Sequence, residues 1–350
     1  MLSKDFEFAL IPQKVIGPVR LRGEHFDELI SVPLATYENP LWPSVERGAK
    51  VFNKAGGIQT TVISQTMTRS IAFQVKDALH AKTAISWLDE NKENLDEIVQ
   101  STSSFCKVQE WHHQIVGNIV YIRFKFFTAE AAGHNMSTKA ADAILNWILI
   151  NHPDFKYVSV SGNICSDKKP QAINGLLGRG KYVIAEGLIS TELCQKYLRA
   201  IPAQLCDLNF KKNYIGSTIA GNIRAANAHF ANMLLAFYLA TGQDAANIIE
   251  GSQGFTYLEE TNQGLYCSVT LPNIIVGVHG NGKELPFVKK NLELLNCHHI
   301  TDSGASSSKL AQIVAAVVLC GEISLLAAQC NPGELVHSHM KLERKKSWRE

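Results

Sequence analysis

The chain has 350 residues, 46% of them apolar and 19% charged, a balance that excludes a disordered protein and leaves room for two or three domains. Its 34 basic and 32 acidic side chains give a formal net charge of +2 and are spread along the chain, so no basic stripe points to nucleic acid or a membrane surface. Eight cysteines at irregular spacings, with no C-x-x-C pair and no apolar leader, fit reduced thiols in a cytoplasmic protein and imply no metal centre.

In chain order, residues 15–18 and 29–33 read as strand ends, 44–53 as a helix and Gly56-Gly57 as a turn. The stretch 60–75, TTVISQTMTRSIAFQV, alternates and is β-branched, which predicts two strands joined near 67–69. Next come a strand (71–75), helices (77–90, 95–100), two strands (105–111, 118–126), a helix (137–150) and a strand (157–161). This β-α-β-β-α-β order is the split, ferredoxin-like arrangement, whose ends emerge close together and suit insertion into a host domain. Beyond 161 the spacing turns helical at 172–173, 191–198 and 216–241, with strand-like alternation at 265–271. The longest apolar run, 310–328, is interrupted by Glu322 and reads as a buried core helix, not a membrane span. The basic end, 341–349, reads as a solvated tail. The expected fold is α+β: a large, mostly helical domain (1–69 and 160–350) carrying an inserted ferredoxin-like small domain (70–159).

Two phosphate frames fail on chemistry. Residues 175–181 fit G-x-x-x-x-G-K, but Tyr182 stands where a hydroxyl must reach Mg²⁺. His279 to Gly282 lacks the third glycine of a dinucleotide fingerprint. Cys297, His298 and His299 have no second ligand pair at metal spacing. The stretch SGNICSDKKP (161–170) is different, since it sets a hydroxyl, an amide, a carboxylate and two ammonium groups between a strand and a proline. Such cations suit an anionic substrate and can stabilise the oxygen that turns negative when hydride adds to a carbonyl.

The sequence SGNICSDKKPQAINGLLGRG (161–180) resembles the signature of the 3-hydroxy-3-methylglutaryl-coenzyme A reductases around their catalytic lysine. Other segments agree in order: VPLATYE (32–38), MTR (67–69), GHNM (133–136), KN with GS (212–213, 216–217), NAH (227–229), GQD (242–244) and LVHSHM (335–340). Lys168 within D-K-K-P, and His339 near the end, resemble the eukaryotic and archaeal class.

The resemblance implies a two-step reduction of a coenzyme A thioester to mevalonate and coenzyme A, for isoprenoid synthesis, with Glu38, Lys168, Asp244 and His339 as catalytic residues. Two oxyanions form and a thiolate leaves, which asks for a cation, a buried acid and an imidazole of this kind. Arg69, Ser161, Asn163, Lys169, Lys212 and Asn227 match substrate-binding positions; Ser104, Phe105, Glu130, Gly133, Asn135, Met136, Gly280 and Gly282 match cofactor-binding ones. The resemblance alone implies NADPH; Ser104 replaces an arginine that would favour the 2′-phosphate, with Lys107 as a candidate substitute, so NADH stays open. The family also implies a homo-oligomer, a dimer or a dimer of dimers, with sites across a subunit interface. Two alternatives are a reductase of another acyl-coenzyme A and a degenerate coenzyme A ester-binding homologue.

Overall fold

The computed structural model describes residues 8–301 and 303–343, without the side chains at 338, 339 and 341–343. The predicted basic tail therefore lies largely outside the described residues. Strands β1 (Gln13–Arg22) and β2 (Asp27–Ala35) form a hairpin, and α1 (Leu41–Lys54) follows. This helix begins three residues before the predicted start because Pro43 falls in its first turn, where a missing N–H removes no intrahelical bond.

The sequence predicts two strands over 60–75, but β3 (Ile58–Gln74) is one continuous strand shared by two sheets. Up to Thr66 it pairs with β7 (Gly180–Ile189); from Met67 onward it pairs with β5 (Ile119–Phe127), and at its end also with β6 (Lys156–Val160). Arg69 thus stands on a strand near the crossing point and not in a turn.

On one side of that crossing the strand order is β4-β5-β3-β6, with β4 spanning Lys107–Val116 and every neighbouring pair antiparallel. Helices α2 (Ala78–Glu90), α3 (Lys92–Thr102) and α4 (His134–Asn151) cover one face, where Ile122, Phe124, Leu88, Val99 and Ile144 are buried together. Asp77 caps α2 by accepting the N–H of His80. On the other side the order is β2-β1-β3-β7-β9-β8, with β8 at Phe255–Thr261 and β9 at Gly264–Ile274. The mostly helical expectation for this part needs correcting, since β7 and β8 read as neither strand nor alternation in the sequence. Strand β7 lies between β3 and β9 and alternates buried with half-exposed side chains, but Tyr182, Ile184 and Leu188 stand on the more open face and Lys181 on the buried one, so the period-two signal is blurred in the sequence.

Helix Ala305–Gln329 is long and apolar enough to cross a membrane, yet almost all of it is buried against α1, β7 and the Phe230–Ala240 helix. It is a core helix. Glu322 within it is fully buried and accepts the main-chain N–H groups of Ala228 (2.8 Å) and His229 (2.7 Å) and the Thr256 hydroxyl (2.7 Å). Three donors satisfy that carboxylate, which is why one acid sits in an apolar helix.

Candidate active site

The loop after β6 carries the chemistry-bearing stretch, and three of its non-glycine residues, Asn163, Ser166 and Lys168, have positive φ. The Lys168 ammonium lies 2.6 Å from Oδ2 of Asp244, which begins the turn before the short Ile248–Gly251 helix and caps it by accepting the Ala246 N–H. That hydrogen bond foremost raises the lysine pKa, while burial opposes it. Burial also pushes Asp244 upward, but the bonds from Lys168 and Ala246 prevail and hold the carboxylate below its usual range.

Behind this pair lies a second charged layer. Asp167 is 2.6 Å from the fully buried guanidinium of Arg179, and Arg69 and His134 each stand 3.8 Å from it. Arg179 also donates to the carbonyl (2.7 Å) and hydroxyl (2.8 Å) of Thr68 on β3. Arg179 therefore ties the loop after β6 to the strand that crosses between the sheets. Burial, and then Arg179, pulls the His134 imidazole down to about 4, so it is neutral near pH 7.

These groups open on a cleft of about 490 Å³ lined by Arg69, Asp167, Lys168, Gly242 to Asp244, Ala131 to Met136, His279 to Asn281 and Lys283. The positive end of α4 faces it at Gly133, whose φ is +96°; a Cβ there would stand 2.7 Å from the Thr128 side chain. A helix N-terminus and glycine backbone suit the phosphates of a dinucleotide. At Gly280, φ is +108° and nothing lies within 4 Å of where a Cβ would stand, so the backbone is open to close approach. Lys283 lines the same cleft, donates to the Gly242 carbonyl and is lowered by burial to about 8. Gln243 ties the Asp244 turn to the glycine loop through both Gly277 main-chain groups, at 3.0 Å each.

The family model described as hydroxymethylglutaryl-coenzyme A reductase matches residues 8–344. The chain belongs to that family. It is 42% identical over 342 residues to 3-hydroxy-3-methylglutaryl-coenzyme A reductase 2 of Dictyostelium discoideum, covering 96% of this chain and 64% of that relative's length. It is 41% identical over 321 residues to the reductase of Pyrococcus horikoshii, covering 91% of this chain and 78% of that one. The fold is similar to a class II 3-hydroxy-3-methylglutaryl-CoA reductase of Streptococcus pneumoniae, solved bound to NADPH in open conformations; the TM-score is 0.75 at 19% identity, over 94% of this chain and 88% of that one.

In this reductase-family chain, the cleft gathers Arg69, Gly133, Asn135, Met136, Lys168, Asp244 and Gly280 of the residues expected from sequence. Gly282 packs against Gly242 just behind it. Ser161 bonds to Cys165 and accepts the Asn163 N–H, which shapes the loop; Lys169 is exposed and donates to the Asp167 carbonyl. Lys212 is half-buried beside Asn213, with burial lowering its pKa. The Asn227 side chain is committed to the Ser252 and Gly254 carbonyls and to the Phe230 N–H. Ser104 and Phe105 lie in the exposed turn after α3, near Thr102, whose carbonyl accepts from Lys139 of α4. Glu130 does not line the cleft; its carboxylate is bonded to Ser306, Ser307 and Thr301.

Glu38 stands elsewhere. It lines a second cleft of about 430 Å³ with Arg47, His229, Asn232 and Leu335, and among the described residues none lines both clefts. The side chain of His339 lies outside the described residues; the helix bearing it, Glu334–Glu343, is tied to this second cleft by Arg47, 2.7 Å from Glu334. Sequence reading missed His134, Arg179, Glu250 and Lys283. Asp167 sat inside the charged stretch, but Arg179 and Glu250 gave no signal because their partners come from distant segments.

Proposed function

We propose that the chain reduces 3-hydroxy-3-methylglutaryl-coenzyme A to mevalonate and coenzyme A, using two equivalents of a reduced nicotinamide dinucleotide. The observation that carries this reading is the Lys168–Asp244 pair at 2.6 Å, opening on a cleft that also receives the α4 N-terminus. The dinucleotide, when bound, supplies hydride. Residues Gly133 to Met136 and the Gly280 loop would hold its phosphates, and segment 70–159 would act as its binding insertion. NADPH is the preferred reading because a reductase of similar fold was solved with NADPH bound; the Ser103-Ser104 turn, which offers hydroxyls in place of an arginine, leaves NADH as the second candidate.

Lys168 stabilises the oxyanion that forms as the carbonyl is reduced, and Asp244 keeps its ammonium charged and aimed. Arg69 and Lys169 offset the carboxylate of the substrate. Glu38 donates a proton in the aldehyde step, and the His339 imidazole protonates the departing thiolate, whose reference pKa is about 8.5. Since Glu38 and the Glu334–Glu343 helix line a different cleft from Lys168, a second copy of the chain completes each site, making the working unit at least a homodimer. Exposed Leu176, Phe210, Ile215, Ile219 and Ile223 supply apolar surface for that contact.

Incubation of the purified chain with the thioester and NADPH or NADH, with mevalonate and free thiol quantified, tests the reading. Mevalonate should appear only when both substrates are present. Thiol release with the free acid as product would make it a hydrolase and overturn the reading.

A further inference from the structure

We propose that Glu250 is a positioning residue for Lys168: its buried carboxylate fixes the lysine main chain in the conformation that delivers the ammonium to Asp244. The inference rests on the role given to Lys168 above. Lys168 has φ of +54°, a left-handed conformation that is strained for a side-chain-bearing residue and persists only when its surroundings impose it. What imposes it is a bond from the Lys168 N–H to Oε1 of Glu250, at 3.1 Å. The same oxygen accepts from the Asn247 amide at 3.0 Å and faces Nε of Arg179 at 3.5 Å. The Glu250 and Arg179 side chains are both fully buried.

Glu250 belongs to the Ile248–Gly251 helix that follows directly on the turn capped by Asp244. One carboxylate therefore links the two members of the ion pair: it is carried by the segment that begins with Asp244 and it grips the main chain of Lys168. Apolar packing alone gives no reason for an acid here. Burial raises its pKa, and the charged or titratable groups facing it are Arg179 and Lys168 from the catalytic loop side and Tyr238 from the Phe230–Ala240 helix.

The test compares E250Q, E250D and E250A in the full chain. E250Q keeps an oxygen for the Lys168 N–H and should stay within about fivefold of wild-type kcat. E250D withdraws that oxygen by one methylene and should lose at least about tenfold in kcat, with KM for the thioester and Kd for the dinucleotide within about twofold. Its alkaline limb should move to lower pH, because Lys168 loses the partner that raises its pKa. Lysine side-chain NMR reads the same fall in Lys168 pKa without turnover, so the inference is tested even if the wild-type chain does not reduce the thioester. If E250A does not fold, as judged by loss of dinucleotide binding, E250D decides. A folded E250D with wild-type kcat and an unmoved Lys168 titration would overturn the inference, as would equal losses in kcat and dinucleotide affinity.

Discussion

Glu130 accepts the main-chain N–H of Ser307 at 2.7 Å, so the acidic residue that sequence similarity places at the cofactor serves as the N-terminal cap of the long core helix. Ser306 and Thr301 donate to the same carboxylate, which joins the segment before α4 to the centre of the larger sheet's core. E130A leaves buried N–H groups unpaired and should lower stability by about 1–3 kcal/mol, read by denaturant titration. Dinucleotide affinity, measured on folded protein, should change by less than about threefold. A large affinity loss at unchanged stability would return Glu130 to the cofactor site.

Gly48 of α1 meets the core helix so closely that a Cβ would stand 2.1 Å from the Cys320 carbonyl oxygen. G48A forces the two helices apart and should cost about 1–3 kcal/mol, seen as a lower thermal midpoint. An unchanged midpoint would mean that the contact relaxes without strain.

His134 is held neutral, with its pKa lowered to about 4 from an ordinary value near 6.5. Because the unfolded chain binds this proton first, stability should fall as pH drops from about 6.5 to about 4 and level off below, by a few kcal/mol at most. H134Q should flatten that window in pH-dependent unfolding experiments. A wild-type curve already flat there would show the imidazole to be solvated.

The two clefts predict complementation. E38Q and K168A should each be inactive alone, because each removes one half of every site. Mixed dimers hold one site with both groups intact, so random mixing should restore about a quarter of wild-type activity. No recovery in verified mixed dimers would place Glu38 and Lys168 at one site within a single chain.

Legibility in the sequence followed the physics of each element. The β-α-β-β-α-β order was readable because the helices that cover this sheet each bury one face, and β4 and β5 are β-branched and aromatic runs separated by the Gly117-Asn118 turn. Strand β3 was split in the reading because its pairing partners change at Thr66 and Met67, which alters its burial pattern without breaking its backbone. Strand β7 was hidden for a different reason: its half-exposed face carries the apolar Tyr182, Ile184 and Leu188 while Lys181 sits on the buried one, so the alternation of burial is not an alternation of polarity. At the site, the Lys168 stretch stood out because its charges are consecutive. Its supports did not: Arg179 and Glu250 act through contacts 111 and 82 positions away in the chain, to Thr68 and Lys168. Local pattern carries no record of such pairings. Glu130 shows the converse error, in which a motif position was legible but its partners, Ser306 and Ser307, were not.

The most direct test of the central claim is the ratio of dinucleotide oxidised to coenzyme A thiol released, measured in the wild-type chain and in K168M. The account predicts two oxidised per thiol in the wild type, and none in K168M at unchanged dinucleotide affinity. A K168M protein that turns over at near wild-type rate with the same ratio would contradict it.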